Sequence, residues 1–157
     1  MQKRRLLLWL LLAALLLVGC GAPKVDWTLS VTGAVDKPLT LTYRELSRMD
    51  QEDLSEILMQ RTHGEDSVGD WSGVALDTLL SEAQAHEDWV SITASAADGY
   101  VSEVNRDDLE GAIVALKEQG EWIAESDPDH GPIRLVCPLT PADRWVFQLT
   151  ELEVNAP

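Results

Sequence analysis

Cysteine, positive charge and long apolar runs are all scarce in this sequence, and each scarcity excludes something. Two cysteines, Cys20 and Cys137, occur in 157 residues. Cys20 closes a leader-like segment, so Cys137 has no partner and no intrachain disulfide is expected. Cys137 ends the apolar run Ile133–Cys137, where a thiol behaves as a small buried hydrophobe. Lysine and arginine total 12 against 27 acids. Three of the bases, Lys3, Arg4 and Arg5, sit at the very start, so nine remain against 27 acids from Cys20 onward, a balance of −18. Such a surface repels phosphate backbones and anionic head groups, which argues against nucleic-acid binding. Repeats, low-complexity tracts, a nucleophile elbow and a spaced catalytic triad are all missing, so a hydrolase is the weakest reading.

The chain has one long apolar run, Leu6 to Val18, and it is thirteen residues long. A spanning helix needs about 20. Preceded by Lys3, Arg4 and Arg5, the run reads as a secretory core, and Leu17-Val18-Gly19-Cys20 matches the lipobox of bacterial lipoproteins, in which the cysteine becomes the lipidated first residue. The expected organisation is a signal peptide over 1–19, a lipidated tether over 20–25 and one domain over 26–155. That domain would lie outside the cytoplasm, held to a membrane by the acyl chains on Cys20, since two membrane signals suffice for stable attachment.

Hydrophobic periodicity predicts a strand over Asp26–Thr32, with Trp27, Leu29 and Val31 alternating against polar neighbours. Leu39–Leu41 continues after the turn at Asp36–Pro38. Thr42 with Glu45 forms a capping-box pattern for a short helix that faces Tyr43, Leu46 and Met49 inward. Leu54–Thr62 fits either a helix, through Leu54, Ile57 and Leu58, or a strand. His63–Ser72 is expected to be a polar loop, in which His63, Glu65, Asp66 and Asp70 match no metal-ligand spacing. Leu76, Leu79, Leu80 and Ala83 have helical spacing. Trp89–Ala94 and Val101–Val104 make a hairpin about Asp98-Gly99, Asn105 precedes a capped turn, and Ala112–Lys117 is a buried strand. Glu121–Glu125 reads as extended. After Pro138–Asp143, two further strands are expected. The predicted core is Trp27, Leu29, Val31, Leu41, Leu46, Leu76, Leu79, Val90, Ile92, Ile113, Val136, Val146, Leu149 and Leu152.

Several of these stretches share one resemblance. H-G-P-I-R-L-V-x-P from His130, R-x-V from Arg144, W-x-G-V-x-L-x-x-L-L from Trp71, D-G-Y from Asp98 and the opening V-x-G-x-V-x-x-P-L-x-L-T resemble the molybdopterin-binding domain of the sulfite oxidase family. The resemblance covers nearly all of Val25–Val154. It implies an α+β fold of mixed, mainly antiparallel sheets with a few short helices. It also implies a pocket lined by His63, Trp71, Ser72, Asp98, Tyr100 and Arg144.

The family's cofactor groups are another matter. Its molybdenum-binding cysteine falls at a strand end that here reads Gln60-Arg61-Thr62-His63. Its glycine-containing loop is here Leu139–Asp143, without glycine, and its lysine and tryptophan after R-x-V are here Phe147 and Gln148. Two readings follow. In one the protein is a non-catalytic module that binds a small ligand or a membrane-bound protein partner, with no cofactor. In the other it is an oxidoreductase, or a subunit of one, that binds molybdopterin without a cysteine ligand.

Overall fold

The structure is a computed structural model and describes residues 21–157; the expected signal peptide and Cys20 lie outside the described residues. Strand β1 (Thr28–Gly33) buries Leu29 and Val31, as its alternation predicts, and pairs antiparallel with β2 (Leu39–Thr42). Helix α1 (Tyr43–Leu46) follows at once. Thr42 Oγ1 accepts from the Glu45 N–H at 3.2 Å and the Glu45 carboxylate accepts from the Thr42 N–H at 2.8 Å, completing the capping box.

Of Leu54–Thr62, the part through Met59 resolves as strand and Gln60–Thr62 lies beyond its end. β3 (Glu52–Met59) pairs with β4 (Ser67–Ala75), and the register shifts between Leu54 and Ile57 around Glu56, whose φ is 55°. A bulge adds one residue to one strand, so Leu54 and Ile57, three apart, both pack against the core. That spacing is what imitates a helix in the sequence. The loop expected through Ser72 is shorter, because β4 begins at Ser67.

β4 runs straight into α2 (Leu76–Ala83), which buries Leu76, Leu79, Leu80 and Ala83. β5 (Ser91–Ala96) and β6 (Val101–Asn105) form the expected hairpin. Asn105 occupies the cap of a 3-10 turn, Arg106–Asp108, but its side chain makes no capping bond. β7 (Ile113–Glu118) and the two-residue β8 (Glu121–Trp122) form a second hairpin. Extended structure stops there, and α3 (Ile123–Ser126) takes the rest of the Glu121–Glu125 segment. β9 (Arg134–Val136) is fully buried. Only one further strand follows, β10 (Leu149–Asn155); between them lie a 3-10 turn at Ala142–Arg144 and a single bridge from Val146 to Leu135.

Two five-stranded sheets result. One has the order β2-β1-β10-β5-β6, and in the other β3-β4-β7 continues to β8 and β9. β1 and β10 are parallel and the remaining strand pairs antiparallel. This is the mixed, mainly antiparallel α+β architecture expected.

The core departs from expectation at three residues. Val90 is 46% exposed because it lies just outside β5, beyond the terminal Ser91–Asn105 pair. Leu41 is half-buried on the edge strand β2, and Trp27 is half-buried with its indole N–H donating to the Leu149 carbonyl at 2.7 Å. Among the described residues no helix is long and apolar enough to cross a membrane.

Candidate functional site

Gly73 explains why the W-x-G-V motif needs its glycine. A Cβ there would lie 2.1 Å from the Val114 carbonyl oxygen, so β4 and β7 could not approach as they do. That close packing sets Trp71, 2% exposed, against Trp145 in an edge-on contact with ring centres 5.6 Å apart. The Trp145 indole N–H donates to the Cys137 carbonyl at 2.9 Å, and the Thr140 N–H and Oγ1 converge on the same oxygen at 3.0 and 3.1 Å. Loop 138–144 is therefore folded back on its own start. Its far side is tied as well, since the Ala142 N–H donates to the Gln60 carbonyl at 2.8 Å.

Arg134 fills the space beside Trp71. Its side chain is 4% exposed; it donates to Glu118 Oε2 at 2.9 Å and to the Asp127 carboxylate, and its guanidinium carbon lies 4.5 Å from the Phe147 ring centre and 5.5 Å from that of Trp71. His130 also bonds Asp127, at 3.0 Å, and packs edge-on against Phe147. Burial alone would raise the Asp127 carboxyl. The His130 hydrogen bond and the Arg134 charge outweigh it and hold the carboxyl below its usual range. Glu118, Asp127 and His130 as partners of Arg134 were not legible in the sequence, because they come from β7 and the loop after α3.

Of the six sequence-predicted pocket residues, three gather at one rim. The Asp98 carboxylate accepts from the Tyr100 N–H at 2.9 Å, and the Tyr100 hydroxyl donates to the Asp143 carbonyl at 2.5 Å. The adjoining Arg144 donates to the Glu103 carbonyl at 2.9 Å. Arg144 lines a cleft of about 150 Å³ shared with Glu103, Asp108, Leu139 and Thr140. The other three lie apart. Trp71 is in the core. Ser72, its neighbour along β4, points the other way and donates to Asp53 at 2.5 Å. His63 is exposed in the loop before β4 and joins none of the side-chain hydrogen bonds or ion pairs among the described residues. Its neighbours have structural work: Asp66 accepts from the Arg61 N–H and Asp70 from the Glu56 N–H at the bulge.

The sequence profile of the oxidoreductase molybdopterin binding domain matches residues 20–156. The chain belongs to this family. No curated protein sequence matches it. Among solved structures, the crystal structure of the sulfane dehydrogenase SoxCD from Paracoccus pantotrophus is similar, at 22% identity and a TM-score of 0.73, over 85% of this chain and 40% of that one. The likeness is one of fold. This chain spans well under half of that protein.

Molybdopterin binding by this family asks for a thiolate on the metal and free cations for the phosphate. The residues of this chain do not fit that request. At the strand end where the family carries its cysteine stands Gln60, its carbonyl covered by Ala142. Cys137 is fully buried, and burial pushes its thiol up to about 12, with the Asp108 charge adding to the effect. Arg134 is engaged by two carboxylates, and the cleft at Arg144 is smaller than the roughly 300–1,000 Å³ of ordinary small-molecule sites. Trp71 Nε1 is buried without a hydrogen-bond partner among the described residues, but Trp71 does not line the cleft at Arg144.

Proposed function

We propose that this protein is a membrane-anchored, extracytoplasmic member of the molybdopterin binding domain family that works without catalysis, as an interaction module for a membrane-bound protein or a small ligand. The observation that carries this reading is the engagement of Arg134 by Glu118 and Asp127 within the protein, in a chain whose strand end at Gln60–His63 has no thiol. The buried cation of the site is thus neutralised internally and is not free to hold an anion. The rim at Tyr100, Asp143 and Arg144 is the accessible part of the site, and it presents a mixture of aromatic, acidic and basic groups suited to protein contact.

The domain boundaries proposed are 1–19 for the leader, 20–25 for the tether and 26–155 for the folded unit, with Cys20 carrying the lipid. Support for the anchor is the apolar run and lipobox ending at Cys20. Membrane fractionation of the full chain and of Cys20→Ser tests it: the first is expected with the membranes and the second in the soluble extracytoplasmic fraction. Equal partitioning of both would remove the anchor. For the partner, a photo-crosslinking side chain at Leu139, 59% exposed on the rim, is expected to trap a discrete membrane protein, and the same group at exposed Asp77 on α2 is not. Family membership favours a second reading, a cysteine-free molybdopterin oxidoreductase or subunit of one, and metal content separates the two.

A further inference from the structure

The acidic balance of the chain hides a local exception. Among the described residues, Arg61, Arg106, Lys117, Arg134 and Arg144 all have side-chain partners in hydrogen bonds, ion pairs or ring contacts. Lys24, Lys37, Arg44 and Arg48 take part in none of these, and three of the four line one cleft. It measures about 930 Å³ and is walled by Gly21–Asp26 on one side and by Arg44, Ser47 and Arg48 on the other.

The fold brings these cations together from separate stretches. β1 leads away from the tether and β2 returns antiparallel to it, with Thr28 opposite Thr42 and the Tyr43 N–H donating to the Trp27 carbonyl at 2.9 Å. Arg44 and Arg48, four apart, thereby arrive beside Lys24, and all three are exposed. Asp26 also lines the cleft. The nearest acid on α1, Glu45, is held by the capping bonds to Thr42.

The opposite end of β1 has the reverse character. There Val35 bridges Ala85, beside a cleft lined by Asp77, Glu87, Asp107 and Glu110. Arg106 in that cleft is occupied by the carbonyls of Glu87 and Trp89. Six strand residues at about 3.3 Å each separate the two ends by roughly 20 Å. The domain is thus electrically polar along β1, with its positive end at the tether.

We propose that the Lys24–Arg44–Arg48 cleft is a docking surface for anionic lipid head groups of the membrane that holds the protein. The inference rests on the anchoring read from Cys20 and goes beyond it. Gly21, which lines the cleft, is the next residue after Cys20, so the cations stand at the level where lipid phosphates lie. Ala22, Pro23 and Val25 supply an apolar wall suited to the first acyl methylenes below a lipid head group. The rest of the acidic surface is repelled by the same charges. Attachment therefore fixes an orientation, tether end down and acidic cleft toward solvent, as a local exception to the repulsion from anionic head groups expected of the net charge. Each cation close to an anionic leaflet raises association about fivefold, within a Debye length of about 10 Å at 0.1 M salt.

The test reconstitutes the processed full chain into vesicles of phosphatidylcholine alone or with phosphatidylglycerol. The amines of Lys24 and Lys37 are labelled and the rates compared by mass spectrometry. Lys37, after the far end of β1, is the internal control. With phosphatidylglycerol, Lys24 labelling is expected to slow about fivefold relative to Lys37, and to recover at 0.5 M salt (about 0.5 M suffices for screening) and in Arg44→Gln/Arg48→Gln. Equal Lys24 rates on both vesicles would overturn the proposal. So would the same protection on phosphatidylcholine vesicles given soluble glycerol phosphate, which would make the cleft a site for a free anion. The anchor is read separately, from the acyl mass on Cys20 and co-flotation with either vesicle. If that fails, protein added to preformed vesicles still reports whether the cleft prefers phosphatidylglycerol.

Discussion

The two sides of loop 138–144 differ in how their polar groups are satisfied. On the inner side, the Trp145 indole N–H is closed by the Cys137 carbonyl and Arg134 by two carboxylates, while the Trp71 indole N–H is buried with no partner among the described residues. On the outer side, Tyr100, Asp143 and Arg144 meet through backbone carbonyls and remain open to solvent. The difference teaches where selection for folding ends and where a surface is left to interact. A group buried with its partners contributes through packing and desolvation, whereas one on the rim exchanges a protein contact for water at little cost.

The sharpest way to break the inner side is Trp71→Ala. Removal of a fully buried tryptophan is expected to lower stability by about 3–5 kcal/mol, measured by chemical unfolding. Arg134→Met comes next. It keeps much of the stem packing but strands Glu118 and Asp127 without a cation, and about 2–3 kcal/mol of stability should be lost, because both carboxylates are about one-third exposed and partly hydrated. Adding Glu118→Gln and Asp127→Asn should restore part of that loss. Failure of the triple variant to recover would mean that Arg134 acts by shape alone.

Acid probes the same network. The folded Asp127 carboxyl titrates below its usual range, and so below its unfolded value. Its contribution is complete above the unfolded pKa and disappears as pH falls through the lower, folded one. The acid limb of the stability curve should therefore flatten in Asp127→Asn, and an NMR titration of the wild-type carboxyl should place its midpoint below that of an unstructured aspartate. The outer side should give the smallest effects: Tyr100→Phe and Arg144→Ala are each expected to cost about 0.5–1.5 kcal/mol or less. Arg144→Ala should leave the fold intact while weakening any anionic ligand of the rim. Unchanged affinity would remove Arg144 from the site.

Much of this division was already visible in the sequence where local pattern decides structure. The alternation of Leu29 and Val31, the Thr42–Glu45 box and the four apolar residues of α2 read directly, because each depends on neighbours within one turn or one strand. Segments left open or misplaced depend on distant ones. β3 stayed undecided between helix and strand because a bulge at Glu56 brings residues three apart to one face. Val90 had the composition of a strand residue but falls outside the last paired rung.

At the candidate site, the missing cysteine and glycine were legible from the resemblance alone. The engagement of Arg134 was not, since Glu118 and Asp127 lie 16 and 7 residues away. The basic cleft was not legible either, since net charge does not locate charges and it is the hairpin of β1 and β2 that gathers Lys24, Arg44 and Arg48.

The central claim is that the scaffold of the family persists here without the groups that hold its cofactor. The direct measurement is the molybdenum and pterin content of the full chain, purified from a host that makes molybdopterin, by elemental analysis and by fluorescence after oxidation. The account predicts neither above background. Near-stoichiometric molybdenum with pterin would contradict it and require a metal ligand other than a cysteine at the strand end.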